Sequence, residues 1–272
     1  MVGDSPKKIF FMGRKLVATE CFRSLLDLHI SGEVHIVGVL SSPHVLDGVE
    51  NVPSLCAEYE VPILSSLDDF LKVDDVDILI SVQFGEILKR VHLEKALEIN
   101  VNLHMAPLPE YRGCNQFSHA ILDGKKIFGT TLHVIDEQID HGDILFEKRF
   151  PIPEDCWVEE LYSMTLSASI GLFRESIRPL VAGEYRCVPQ CELIEERGTS
   201  LHFRKEMNGL KNIDLSKGME HAQTALRATS MPGFSPPFVE LNGEKVYLVA
   251  ERYVCNTRGL LCTPMKSSLK PS

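Results

Sequence analysis

DILISVQFGEILKRVHLEKALEINVNLH, residues 77–104, contains two short apolar runs, 77–82 (DILISV) and 99–104 (INVNLH), with helix-forming residues at 93–97 between them. Runs of this length rich in Val, Ile and Leu read as strands, and a strand, a helical crossover and a second strand form a βαβ unit with parallel strands. Outward from it, 8–12 (KIFFM) and 34–40 (VHIVGVL) are two further runs of the same kind, joined by an amphipathic stretch at 17–28, and 52–59 supplies more helix. The repeated unit predicts an α/β fold, a mainly parallel sheet with helices on both faces. Ligands of such sheets bind beyond the carboxyl ends of the strands, so a site is expected just after Val82 and His104.

The strand at 99–104 runs into NVNLHMAPLPEYRG (100–113), and after a helix-sized gap comes DEQIDHGDIL (136–145). Asn102 and His104 stand at i and i+2 on a strand and share a face. Asp140 arrives from a second loop. An amide donor, an imidazole that titrates near neutrality and an acid together suit the formation and collapse of a tetrahedral intermediate at a carbonyl carbon. Met12-Gly13-Arg14-Lys15 follows the first strand without a GxGxxG cradle, which argues against a dinucleotide. His119, His133 and His141 lie on separate elements without i,i+4 spacing, and the expectation is that no metal is bound.

Composition narrows the class of protein. The chain has 272 residues, 44% hydrophobic and 24% charged, a globular balance with room for one ordinary domain and a smaller one. No apolar run approaches the ~18 residues of a membrane span, and residues 1–6 lack a signal-peptide core, so the reading is cytoplasmic with no membrane insertion. Eight cysteines (21, 56, 114, 156, 187, 191, 255, 262) include no CxxC pair and read as free thiols. The net charge is −10 and no Lys/Arg-rich tract is present. Proteins that grip nucleic acid normally display a basic face, so a nucleic-acid partner is disfavoured.

Further along, 130–134 and 144–150 read as strands flanking the Asp140 loop, with Gly142 supplying conformational freedom. Val158, Leu161, Met164, Ala168 and Leu172 follow helical spacing, which predicts a long helix that begins near Trp157, is capped by Asp155, is kinked or ended by Pro179 and is closed by Gly183. The expected division is a catalytic domain at 1–185, a small α+β module at 186–255 and a mobile tail at 256–272. The module holds a charged stretch at 202–211, a helix at 219–228 and a hairpin, 238–241 with 245–249, about the type I′ signal Asn242-Gly243.

Asn-x-His ending a strand, then Leu-Pro-x-Tyr-Arg-Gly, then Asp-Glu-x-x-Asp-x-Gly-Asp-Ile closely resembles the signature of the folate-dependent formyltransferases, and the His104 to Asp140 spacing matches without a gap. The resemblance runs from about residue 7 to about 186, and LRATSMPGFSPPFVELNGEKVYL (226–248) resembles the segment that follows the catalytic domain in that family. It implies a Rossmann-like fold, N10-formyltetrahydrofolate as formyl donor and no metal. Acidic composition, the short C-terminal part and the loop wording at 104–121 resemble most the sugar-nucleotide N-formyltransferases that act on 4-amino-4,6-dideoxyhexoses, enzymes of O-antigen and surface-polysaccharide synthesis, with a homodimer implied by analogy.

The resemblance also implies roles for single residues. Asn102 donates to the oxyanion, His104 relays the proton, and Asp140 orients the imidazole or takes that proton. Phe84, Gly85, Glu86, Ile87 and Leu88 edge the pterin, and Asp136 and Ile139 form the opposite wall. Arg14, Lys15, Met105, Tyr111, Arg112 and Asn115 are placed on the acceptor side. His104-Met105-Ala106 departs from the common His-Pro-Ser, which removes any role of that serine. Three rivals stand beside this reading: methionyl-tRNA formyltransferase, disfavoured by charge and C-terminal length; a formyltetrahydrofolate hydrolase, which lacks here its usual N-terminal regulatory domain; and a silent sugar-nucleotide-binding module, opposed by an intact Asn102, His104 and Asp140.

Overall fold

The computed structural model describes residues 5–41 and 50–253; the expected tail at 256–272, Cys255 and Cys262 lie outside the described residues. In chain order come β1 (Lys7–Gly13), α1 (Lys15–Ile30), β2 (Val34–Leu40), α2 (Val52–Glu58), β3 (Ile63–Leu64), α3 (Leu67–Phe70), β4 (Val76–Val82), α4 (Arg90–Leu93) and β5 (Ala96–His104). Then follow β6 (Arg112–Gly113), α5 (Gln116–Leu122), β7 (Ile127–Val134), β8 (Ile144–Pro151) and α6 (Val158–Val181). Seven strands make one sheet in the order β3-β2-β1-β4-β5-β7-β8. It is parallel from β3 to β5, and β7 and β8 add an antiparallel edge.

Alternation along β1 divides the core. Ile9 and Phe11 face α1 and α6 in a cluster with Phe22, Leu25, Phe173 and Ile177, whereas Phe10 and Met12 face Phe70 of α3 and Leu88 on the other side. The period of two sends successive side chains to opposite faces of a sheet covered on both. Each fully buried Phe or Leu of this kind contributes roughly 1.5–3 kcal/mol of transfer free energy.

Four local expectations change. Residues 93–97 are not one helix, because α4 stops at Leu93 and Ala96 already pairs with Val76 at the start of β5. Asp155 does not cap α6: its carboxylate pairs with Arg227, and the Trp157 N–H donates to Glu160 instead. Pro179 falls in the last turn, so α6 runs on to Val181 before Gly183 closes it at φ +73. Gly142 is needed for space rather than for a left-handed φ, since a Cβ there would sit 2.1 Å from the Val134 carbonyl oxygen.

Beyond α6 the chain forms α7 (Ile194–Arg197), β9 (Leu201–His202), α8 (Met207–Leu210), α9 (Met219–Thr229), β10 (Phe238–Leu241) and β11 (Glu244–Tyr247). The β10–β11 hairpin turns through Asn242 and Gly243 at φ 53 and 83, as a type I′ turn requires. This stretch is tied to the sheet domain at several points. Val188 bridges Ile144, and β9 pairs in parallel with β6, Gly113 opposite His202. Gly113 has φ +85, and a Cβ on it would lie 2.2 Å from the His202 carbonyl oxygen, so this contact admits only glycine.

Candidate active site

Asn102 and His104 occupy the end of β5, which pairs antiparallel with β7 so that Asn102 stands opposite His133 and His104 opposite Thr131. Asp140, in the loop between β7 and β8, reaches both rings: Oδ2 is 3.5 Å from His104 Nδ1 and Oδ1 is 3.5 Å from His133 Nε2. Asn102 Nδ2 lies 3.2 Å from His133 Nε2. The three residues expected to act together are therefore brought together, and His133 joins them. In the sequence alone His133 stands out only as a histidine to weigh against metal binding.

Two carbonyls each fix one ring N–H. The His104 ring donates Nε2–H to the Tyr111 carbonyl at 2.7 Å, which leaves Nδ1 facing Asp140. His133 donates Nδ1–H to the Val134 carbonyl at 2.7 Å, and its Nε2 faces both the Asn102 amide at 3.2 Å and Asp140 at 3.5 Å. A carbonyl can only accept, and each assignment follows from that. Thr130 Oγ1 donates to the His104 carbonyl at 2.9 Å and itself accepts from Ser169 at 2.8 Å, tying the strand end to α6.

Asp140 is held as tightly as the rings. The Gly113 N–H donates to its Oδ2 at 2.9 Å, and the buried Gln190 amide donates to the carbonyls of Asp140 and Gly142 at 3.0 and 2.8 Å. Burial pushes the Asp140 carboxyl up, but the charge on His104, the His133 ring and the Gly113 N–H outweigh it and hold the group well below the ordinary carboxylate range. Its backbone is left-handed, at φ 46. Lys15, Gln83 and Asn115 are also left-handed, at φ 69, 53 and 60. For a non-glycine residue that conformation costs on the order of 1–3 kcal/mol and persists where the surroundings impose it, which happens most at functional sites.

A cleft of about 480 Å³ opens beside Arg14, Leu40, Phe84, Gly85 and Glu86 at the carboxyl ends of β1, β2 and β4. Arg14 donates to the Gln83 carbonyl at 3.1 Å and lays its guanidinium against Gly85. Lys15 reaches the Gln83 side chain at 3.3 Å. Burial, then the charges of Arg14 and Arg204, lower the Lys15 pKa. Phe84 packs with Ile135 against the β-sheet cluster, and Arg90 comes within 3.9 Å of Glu137, so segments 84–90 and 135–140 face each other. Ile87 and Ile139 are exposed, while Asp136 is engaged by His141 at 2.6 Å.

Other expected contacts are placed differently. Tyr111 is buried and its hydroxyl donates to Asp123 at 2.7 Å, so its ring is a core element and only its carbonyl serves the site. Met105 and the Leu88 side chain are likewise buried in the apolar clusters. Arg112 donates to the Ile139 carbonyl at 2.9 Å and Asn115 to the Phe203 carbonyl at 2.8 Å, both fixing loops around the cleft. A second cavity, about 360 Å³, is lined by Asp123, Lys126, Glu154 and Arg227 and by none of Asn102, His104, His133 and Asp140.

Residues 7–175 match the family described as formyl transferase. A methionyl-tRNA formyltransferase from Halalkalibacterium halodurans is 28% identical over 233 residues, covering 81% of this chain and 71% of that protein. Among solved structures, an N-formyltransferase from Helicobacter canadensis, in complex with folinic acid and dTDP-3-aminofucose, superposes with a TM-score of 0.72 at 22% identity, over 88% of this chain and 86% of that one. A 4-N formyltransferase from Francisella tularensis gives a TM-score of 0.71 at 20% identity, over 91% and 98% of the two chains. At these identities the structural likeness concerns the fold.

Proposed function

The chain belongs to the formyl transferase family, and from that premise we propose that it moves a formyl group from N10-formyltetrahydrofolate to the primary amine of a nucleotide-linked amino-dideoxy sugar. The observation that carries the chemistry is one half-buried carboxylate, Asp140, lying 3.5 Å from each of two imidazoles beside Asn102. The amine lone pair attacks the formyl carbon, His104 takes at Nδ1 the proton the amine releases, and the carbonyl oxygen becomes an oxyanion to which the second Asn102 N–H and the imidazolium so formed donate. As the intermediate collapses, the bond from carbon to the folate nitrogen breaks. His104, through Nδ1, transfers to that nitrogen the proton the amine releases, with Asp140 stabilising the imidazolium.

The sugar acceptor is supported by the net charge of −10 and by the cations at Arg14, Lys15 and Arg204, which suit one diphosphate better than a nucleic-acid backbone. Structural neighbours include enzymes solved with a dTDP-linked amino sugar and with a folate, and we carry both ligand classes to this chain as part of the proposal. In this reading the pterin lies between 84–88 and 136–140, with Arg112 and Asn115 shaping the acceptor side. The enzyme acts as a cytoplasmic homodimer in surface-polysaccharide synthesis; no described helix is long and apolar enough to cross a membrane.

Methionyl-tRNA formylation is the second reading, favoured by the sequence relatives. One experiment separates the two. The protein is incubated with N10-formyltetrahydrofolate and a panel of UDP-, dTDP- and GDP-linked amino sugars, and products are weighed for an added formyl group. Formylation of at least one 4-amino-4,6-dideoxyhexose nucleotide is expected. Reaction with charged methionyl-tRNA alone overturns the sugar reading, and folate consumption without any acceptor identifies a hydrolase.

A further inference from the structure

Outside this site, His119 of α5, His202 of β9 and Glu206, the last residue of the 3-10 turn Arg204–Glu206, bring two imidazole nitrogens and a carboxylate oxygen within 4.8 Å of one another. Glu206 Oε2 is 3.0 Å from His202 Nδ1 and 3.3 Å from His119 Nε2. Bond lengths of ~2.0–2.2 Å to a tetrahedral zinc ion imply ligand atoms roughly 3.2–3.6 Å apart, and octahedral geometry brings them to about 3 Å. These two separations therefore fit ligands of a single ion.

The arrangement is left incomplete by hydrogen bonding alone. His202 Nδ1–H can donate to Glu206, but His119 Nε2 is buried and has no hydrogen-bond partner. An unsatisfied buried nitrogen costs ~1–3 kcal/mol. The rings stack with centroids 3.5 Å apart and 15° between planes, so a second proton on the pair places two positive charges face to face. The Phe203 N–H fixes the other Glu206 oxygen at 2.9 Å.

We propose that His119, His202 and Glu206 bind one divalent transition-metal ion, zinc in the first instance, as a two-histidine, one-carboxylate site. Because each lone pair lies in its ring plane, coordination tilts the two rings out of their face-to-face stack. The Glu206 side chain is 32% exposed against 14% for His119, so solvent reaches the site from the Glu206 side. The ion ties the 201–206 segment to α5. Through β9 and β6 that segment carries Gly113, whose N–H holds Asp140, so metal occupancy stiffens a support of the active site without entering the reaction. The inference is independent of the acceptor's identity.

Equilibrium dialysis of the full chain, stripped with EDTA and exposed to Zn2+ or Co2+, tests it. We expect one equivalent to bind at micromolar free metal, with visible Co2+ bands of a four- or five-coordinate site and an upward shift in Tm. His119→Gln and Glu206→Gln should each weaken binding by more than the ~10–100-fold typical of losing an outer-shell partner. His35→Gln, on a distant exposed strand position, should leave it unchanged. Circular dichroism checks each variant, and if His119→Gln does not fold, Glu206→Gln decides, since its amide oxygen still accepts from Phe203. No stoichiometric binding to the parent chain, or binding undiminished in a folded Glu206→Gln, overturns the assignment.

Discussion

The side chain of Gln190 donates to the backbone carbonyls of both Asp140 and Gly142, so one buried amide from beyond α6 fixes the loop that presents the carboxylate to two imidazoles. The bond matters because the Asp140 backbone is left-handed, a conformation that relaxes unless held.

Gln190→Glu tests this support with little change of shape. An ionised Glu cannot donate, so two carbonyls lose their partner and face a negative charge instead. Misplacing a catalytic group by about 1 Å can cost ~10²-fold. Turnover should fall by at least about tenfold while KM for the folate changes far less, and steady-state kinetics beside a thermal melt will show it. Parent-like kcat in the variant would show that the loop holds its geometry without the amide.

His133 is open to a different test. Its Nε2 lies 3.2 Å from Asn102 Nδ2 and 3.5 Å from Asp140, so His133→Phe keeps an aromatic ring but deprives both groups of a hydrogen-bonding neighbour. The kcat should fall by at least tenfold, on the scale of ~1–3 kcal/mol for an unsatisfied buried polar group, with KM for the folate little changed. Parent-like kcat makes His133 a core residue only.

Asn102 and His104 were legible because i and i+2 on a strand share a face whatever the tertiary context, and Asp140 because its distance along the chain from His104 follows a known pattern. His133 was not, since its place depends on the antiparallel register of β5 with β7, 31 residues from Asn102. Gln190 lies in a 3-10 turn 50 residues after Asp140, where no periodicity marks it. The burial of Tyr111 is not legible because nothing local in a Pro-containing loop marks its ring as core; Asp123, 12 residues on, supplies the hydroxyl's partner that lets it be buried. The sheet followed from its apolar runs. The single turn of α4 did not, because four residues leave no period to read.

The depressed pKa of Asp140 carries a stability consequence with a definite sign. A carboxylate favoured in the folded state contributes fully above its unfolded value, ~3.9, and that contribution is lost as pH falls below it toward the folded value. Asp140→Asn has no such group to protonate. Between about pH 5 and pH 3 the parent's Tm should therefore fall more steeply than the variant's, and parallel curves would mean that the native environment does not favour the charged form.

Asp140→Asn also separates charge from loop geometry in the reaction itself. Asparagine keeps the size and can still accept from the Gly113 N–H, but it removes the negative charge that stabilises a protonated His104 across 3.5 Å. If that charge acts mainly in the transition state, turnover drops by at least ~10²-fold while ground-state affinity for folate and acceptor changes little, so kcat and kcat/KM fall together. The same variant should keep Gln190 bound to the loop, because those bonds run to backbone carbonyls rather than to the carboxylate. Near-normal kcat, with folding and folate binding retained, would remove Asp140 from the mechanism and leave the proton relay to His104 and His133.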